Sequence, residues 1–305
     1  MDSLVRVPAT SANLAAGFDS LGLAVGLYNS VKVELASSTE IVVQGEGSYL
    51  IKPENNLLYR AMQLYFDNKG LKLPELRIVQ DNMIPVKRGL GSSSAAIVAG
   101  LAIAQYLDKG YLKKDELWPL ALQLEQHPDN LAAALFGGLT IVAGGAGIPP
   151  VLSLSRVDLP VLEKIQGLMV VPEKKISTSR ARNALKKTIS RDDAVFNISR
   201  AALLIGALNV GRVDLLKEAL QDRLHQPHRF KLIPWASNLA EEVLAVGALG
   251  SYISGSGSTY AVLVERENAK GIQQYIEELM NSWQVKASVI DVDLAVSGVE
   301  LIKGE

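Results

Sequence analysis

Ile84-Pro85-Val86-Lys87-Arg88-Gly89-Leu90-Gly91-Ser92-Ser93-Ser94-Ala95-Ala96 is the stretch on which the reading of this chain turns. Gly89 and Gly91 let the backbone take positive φ and approach a ligand with no Cβ in the way. The serine run is expected to cap the helix that follows, residues 92–107, which is apolar nearly all round and reads as buried. The first N–H groups of that helix, with its dipole, make a site for an anion. Serine hydroxyls can also ligate a hard cation such as Mg²⁺. By itself the segment is equally well an ordinary glycine loop with a serine cap. It is not a Walker A loop, because no Lys-Ser or Lys-Thr follows the glycines, and the protein-kinase HRD and DFG signatures are missing.

Working outward, the hydrophobic pattern predicts strands at Leu4–Pro8, Ser30–Leu35, Glu40–Val43, Leu76–Val79 and Leu139–Ala143, with Asn13–Gly26 ambiguous. Asn55 or Asn56 is placed to cap a helix through Asp67, and Asp115 a helix ending near His127, where Pro128 opposes continuation. Asp129 starts a short helix that Gly137-Gly138 ends. Gly144–Pro150 is the clearest break in composition and is read as a boundary between parts 1–150 and 151–305. Beyond it the pattern predicts a strand at Leu168–Val171 and helices at Ser179–Lys187, Asp193–Val210 and Val213–Leu220. A loop with Pro227 and Pro234, a helix near Leu239–Ala248, strands at Tyr252 and Tyr260–Val264, an amphipathic Asn268–Trp283 and an alternating Val285–Leu294 follow. Helices and strands mix without a regular βαβ period, so the class is α+β.

Composition narrows the chemistry. The 305 residues carry 31 Lys and Arg against 32 Asp and Glu, a net charge of -1. That argues against a broad electrostatic grip on nucleic acid or an anionic membrane. With no cysteine there is no disulfide, thiolate nucleophile or Cys-ligated zinc, which fits a cytoplasmic protein. Met1–Ala9 lacks the apolar core of a signal peptide. The most apolar stretch, Ile97–Leu107, is shorter than the roughly 20 residues that span a bilayer. Three histidines leave little material for a histidine metal site, and the HExxH and GxSxG patterns are absent.

Three segments in order make the reading specific. Val7-Pro8-Ala9-Thr10-Ser11-Ala12-Asn13-Leu14 runs into Gly17-Phe18-Asp19-Ser20-Leu21-Gly22, the glycine-serine stretch lies at 84–96, and Ser254-Gly255-Ser256-Gly257 closes the set. Together they resemble the three motifs of the GHMP kinases, the galactokinase, homoserine kinase, mevalonate kinase and phosphomevalonate kinase superfamily. Glu125-Gln126-His127-Pro128-Asp129-Asn130, followed by Phe136-Gly137-Gly138, is most similar to the homoserine kinase branch. The chain departs from the branch at Ala15-Ala16, where NLGPGFD is usual, at Gln126 for Gly, and in SGSGS for SGAGP.

The resemblance implies a GHMP kinase fold in two α+β parts, the second ferredoxin-like, with the site in the cleft between them. It implies ATP and Mg²⁺ as cofactors and L-homoserine as acceptor, giving O-phospho-L-homoserine on the way to threonine. It further implies a cytoplasmic enzyme, a homodimer by analogy, and no nucleic-acid or membrane partner. Alternatives are a mevalonate-type kinase or a ligand sensor without turnover. The implied nucleotide residues are the loop Pro85-Val86-Lys87-Arg88-Gly89-Leu90-Gly91-Ser92-Ser93-Ser94-Ala95 and, at the adenine, Asn56, which is equally a helix cap. Lys87 and Arg88 are read as solvated, though within reach of phosphate. Ser93, with Ser92 as rival, and Glu125 would hold Mg²⁺. The acceptor pocket implied is Asn13, Asp19, His127, Thr178, Arg182, Arg229 and Gly255, with the two arginines on its carboxylate and Asp19 on its ammonium. Asn130 orients the reactants. The general base stays open between His127, Asp129 and none.

Overall fold

The computed structural model describes residues 3–49, 51–125, 128–145, 148–157, 160–294 and 296–303. Two antiparallel-rich sheets organise them. The larger takes β1 (Ser3–Ala12), β2 (Leu21–Leu35), β3 (Glu40–Gly45), β4 (Leu76–Asn82), β5 (Leu139–Gly145), β6 (Ile148–Val157) and β11 (Glu300–Lys303). Its order is β11-β1-β2-β4-β3, with β5 beside β2 and β6 beside β5. The smaller takes β7 (Ile165–Pro172), β8 (Gly250–Ile253), β9 (Tyr260–Glu265) and β10 (Ala287–Asp293), in the order β10-β7-β9-β8. With helices between β7 and β8 and between β9 and β10, that is the βαββαβ ferredoxin-like arrangement.

Four helices cover the larger sheet: α1 (Leu57–Asn68), α2 (Ser92–Lys109), α3 (Lys114–Leu124) and α4 (Pro128–Phe136). In α1 the 3.6-residue spacing buries Leu58, Ala61, Met62, Tyr65 and Phe66. Asn56 caps it, the Asn56 side-chain oxygen accepting from Tyr59 N at 3.1 Å. The largely apolar α2 packs against α1, α3 and α4, with Ile97, Val98, Leu101, Ala102 and Ile103 completely enclosed. The second half carries α5 (Thr178–Asn183), α6 (Arg191–Val210), α7 (Leu216–Ala219), α8 (Gln226–Arg229), α9 (Trp235–Ala245) and α10 (Ala269–Ser282). The amphipathic α10 seals the smaller sheet with Ile272, Ile276 and Met280.

Several expectations need correction. Asp115 does not cap α3. Lys113 is the cap residue, and Asp115 lies in the first turn beside Glu116, where a carboxylate meets the positive end of the dipole. The ambiguous Asn13–Gly26 divides into a loop and the start of a 15-residue β2. The loop expected around Pro227 contains α8, with proline in its first turn, where no N–H is needed. The compositional break at 144–150 lies where β5 and β6 pair antiparallel, so the boundary placed at 150 falls inside β6. The chain changes sheet between Val157 and Ile165, and β11 returns to pair with β1. Among the described residues the Ile97–Leu107 stretch lacks the length and composition to span a membrane, and one helix, α6, has them. Its apolar window has a mean hydropathy of 1.3 and is 22% buried. It packs on the body through Asn197, Leu204, Ala207 and Leu208.

Candidate active site

The glycine-serine loop is held from two sides. Gly89 has φ 82°, and a Cβ there would stand 2.3 Å from the Ser254 carbonyl oxygen. Gly91 has φ 68°, and a Cβ there would stand 1.8 Å from Thr10 Oγ1. No other residue type fits either place. Thr10 N donates to Leu90 O at 3.1 Å, and Thr259 N to Arg88 O at 2.9 Å. A buried hydroxyl chain completes the clamp: Tyr252 OH and Ser11 Oγ lie 3.0 Å apart, Ser11 Oγ donates to Ser254 Oγ at 2.8 Å, and Ser254 Oγ to Gly89 O at 2.6 Å. The three sequence motifs therefore meet at one loop.

Gly91, in the left-handed region, is the cap residue of α2 and offers no side-chain hydrogen bond. The serines do not cap this helix as expected. Ser92, Ser93 and Ser94 fill its first turn, so the backbone N–H groups there have no intrahelical acceptor. All three serines line a cleft of about 450 Å³ with Gly89, Gly91, Val86 and Lys87. Pro85, Leu90 and Ala95 do not line it, and Leu90 and Ala95 belong to the hydrophobic core. Arg88 is not solvated. Its Nε donates to Pro172 O at 3.0 Å, and its Nη1 lies 3.5 Å from Glu46 Oε2.

Below the loop, Ser93 Oγ donates to Glu125 Oε2 at 3.3 Å. Glu125 follows α3 in extended conformation, φ -138° and ψ 129°, and its side chain reaches the first turn of α2 at Ser93. Among the described residues no three His, Cys, Asp or Glu cluster as a closed metal site. Two hard oxygens beside a helix N-terminus nonetheless suit Mg²⁺, which keeps waters and takes phosphate oxygens. Asn130, at the start of α4, is held at both ends of its amide. Its Oδ1 accepts from Thr10 Oγ1 at 2.8 Å, and its Nδ2 donates to Asp129 Oδ1 at 3.1 Å. Asp129 is buried and also accepts from Asn130 N. His127 lies outside the described residues.

The other end of the cleft is built on the loop 13–19. Asn13, Leu14, Ala15 and Asp19 all have positive φ, at 71°, 41°, 58° and 56°. Such strain in non-glycine residues gathers where surrounding contacts dictate the backbone. Asn13 Nδ2 donates to Gly255 O at 2.8 Å, and its Oδ1 accepts from Asp19 N at 3.0 Å. Asp19 takes both prongs of the Arg182 fork, at 2.8 and 3.2 Å. The resemblance had both groups facing an acceptor, whereas here they meet each other. The pair is partly open, with side chains 37% and 40% exposed, so solvent weakens it. Arg229 is only 3% exposed. Its Nη1 donates to Gly255 O at 2.7 Å, and no carboxylate among the described residues lies within 4.0 Å of it. Burial first, and the nearby Arg182 cation, push its pKa down to about 10. Thr178 and Gly255 line the same cleft.

Sequence reasoning missed three parts of this site. Phe18 carries His225 stacked at 5.0 Å, with the Arg229 and Arg182 guanidinium carbons 5.3 and 5.8 Å from its ring centre. Gln80 and Asn82, on β4, and Tyr49 line the cleft beyond Asn56. For Gln80 the signal was a polar amide at a strand position that the alternation turns inward. Thr10, which sets Asn130, gave no signal beyond its motif.

Residues 56–138 match the model of the GHMP kinase N-terminal domain, and residues 204–282 that of the GHMP kinase C-terminal region. The homoserine kinase of Clostridium botulinum (strain Kyoto / Type A2) is 41% identical over 290 residues, 94% of this chain and 95% of its own. That of Desulfitobacterium hafniense is 40% identical over 292 residues, 95% and 97% of the two chains. The crystal structure of homoserine kinase from Cytophaga hutchinsonii superposes with a TM-score of 0.87 at 27% identity, covering 99% of this chain and 97% of that one. A fold, three motifs gathered at one loop and identity of this extent over nearly the whole length lead to one assignment: the chain belongs to the homoserine kinases of the GHMP kinase superfamily, ATP-dependent phosphotransferases.

Proposed function

We propose that the cleft transfers the ATP γ-phosphate to the side-chain hydroxyl of L-homoserine, a step toward threonine, and that its residues divide the work as follows. The triphosphate lies along Gly89–Ser94, met by the N–H groups of the α2 N-terminus. Asn56, Asn82 and Tyr49 form the nucleobase end. Ser93 and Glu125 would hold Mg²⁺, which when bound neutralises phosphate charge. Asn130, fixed between Thr10 and Asp129, orients the reacting oxygens. No carboxylate base is assigned.

The observation that carries the acceptor is Arg229. A guanidinium taken out of water without an opposing carboxylate is costly, and an anionic group entering the cleft relieves that cost. Asp19 beside it supplies the opposite charge, so the site suits a molecule with carboxylate and ammonium together. On binding, such a zwitterion exchanges partners with the Asp19–Arg182 pair, the ammonium going to Asp19 and the carboxylate to Arg182 and Arg229. For place and assembly the reading is a cytoplasmic homodimer, supported by the resemblance alone, and sedimentation at micromolar chain concentration tests the dimer. ADP release measured with L-homoserine and mevalonate side by side tests the acceptor. Turnover is expected with homoserine only. Turnover of mevalonate and none of homoserine refutes the proposal, as does ATP binding with no ADP formed from either.

A further inference from the structure

His225, the cap residue of α8, is completely buried against the strained loop 13–19. Its ring makes two hydrogen bonds to partners whose roles are fixed. The Ala15 carbonyl, 2.8 Å from Nε2, can only accept. The Arg229 guanidinium, whose Nη1 is 3.2 Å from Nδ1, can only donate. One state satisfies both, the neutral imidazole with its proton on Nε2 and its lone pair on Nδ1. An imidazolium would set Nδ1–H against a guanidinium N–H.

The surroundings favour the neutral ring. Burial, above all, and the Arg229 cation hold its pKa down to about 4, against the opposing pull of Asp222. Asp222 Oδ2 lies 3.6 Å from Nε2, and Asp19 acts from further away. Phe18 covers one face of the ring. The backbone is pinned as well, since the Asp222 carboxylate accepts the N–H groups of Leu224, His225 and Gln226. Arg229 Nη1 is thereby held from two directions, by His225 Nδ1 and by Gly255 O. Two such bonds fix the plane of the guanidinium.

We propose that His225 is a positioning residue for the acceptor: it locks the Arg229 guanidinium and ties it to the Ala15 turn, so that the acceptor carboxylate meets a site already formed. This rests on the reading of Arg229 as the carboxylate partner. Preformed donors bind better than mobile ones because the ordering cost is met before the ligand arrives.

Steady-state kinetics on the full chain, with L-homoserine and ATP varied separately, test it. His225→Phe keeps the stack on Phe18 and loses both hydrogen bonds. It is expected to raise KM for homoserine roughly tenfold or more, the scale of a hydrogen bond to a charged group, with KM for ATP and kcat within about threefold. His225→Asn places an amide oxygen near the Nδ1 position and recovers most of the loss. His225→Gln restores only the arm to Ala15 and does not. In an Arg229→Ala background, His225→Phe adds little, because its effect runs through Arg229. Equal rises in both KM values overturn the proposal, as does an unchanged homoserine KM in a folded His225→Phe. Recovery by Gln but not Asn overturns it even where the Phe variant does not fold. If Arg229→Ala alone leaves the homoserine KM unchanged, the reading of Arg229 falls and His225 with it. If Arg229→Ala raises that KM and His225→Phe does not, only the role of His225 falls.

Discussion

Replacing Ala15 by glycine should cost the protein almost nothing, although Ala15 is completely buried. Its φ of 58° lies in the left-handed region. A side chain there costs about 1–2 kcal/mol, which glycine recovers. Against this, glycine widens the unfolded ensemble, worth about 0.4–1 kcal/mol, and the lost methyl forfeits about 0.8 kcal/mol of burial. The sum lies within about 1 kcal/mol of zero, and the His225 bond survives because it goes to the Ala15 carbonyl. Ala9→Gly is the control. Ala9 is equally buried but lies in β1, so nothing offsets about 0.5–1 kcal/mol of entropy and about 0.8 kcal/mol of burial. The two variants should differ by about 1–2 kcal/mol in chemical unfolding, read as midpoint shifts at unchanged slope. If Ala15→Gly loses as much as Ala9→Gly, no strain is stored in the turn. The outcome bears on the departure from NLGPGFD, since alanine stands here where a backbone of this shape favours glycine.

Four further outcomes are expected. Glu125→Gln should lower kcat by about 10² or more, as for loss of one preorganised electrostatic group, and near-normal turnover at saturating Mg²⁺ removes Glu125 from the site. Gly89→Ala drives a Cβ toward the Ser254 carbonyl at 2.3 Å, so ATP binding measured by calorimetry should be lost, while unchanged binding would mean the loop is not clamped. Arg229→Ala should weaken homoserine binding far more than ATP binding, and equal losses would point to misfolding or a wrong assignment. Stability should also fall as pH drops from about 6.5 toward 4, because the unfolded chain protonates His225 there while the folded chain, with its pKa near 4, does not. The full contribution is roughly 3 kcal/mol. His225→Asn should flatten that part of the curve, and an unaltered slope would remove His225 as its source.

What could be read from the sequence was what has a local cause. Asn56 ahead of Leu57 and the apolar face of α1 act within a few residues, so the cap and the helix were legible. The strand β11 has four residues and exists because β1 offers them an edge. In β6, Pro149 and Pro150 read as a break, yet proline is tolerated in a strand that pairs on one side. The candidate site divides the same way. Gly89 and Gly91 announce themselves because no Cβ fits there. Arg229 and His225 look like any two polar residues four apart. Only the meeting of α8 with loop 13–19 and Gly255 takes them out of water and gives them their partners. Burial also accounts for how a chain with a net charge of -1 is read as holding both a polyanion and an amino acid. In water a surface arginine is screened within about 10 Å, and many are needed to hold a phosphate chain. On this reading the N–H groups of the α2 N-terminus meet the phosphate chain, and the Arg229 guanidinium, only 3% exposed, meets the carboxylate in a medium of lower effective dielectric. Such local groups do what a basic surface would otherwise do, and the overall charge of the molecule does not register them.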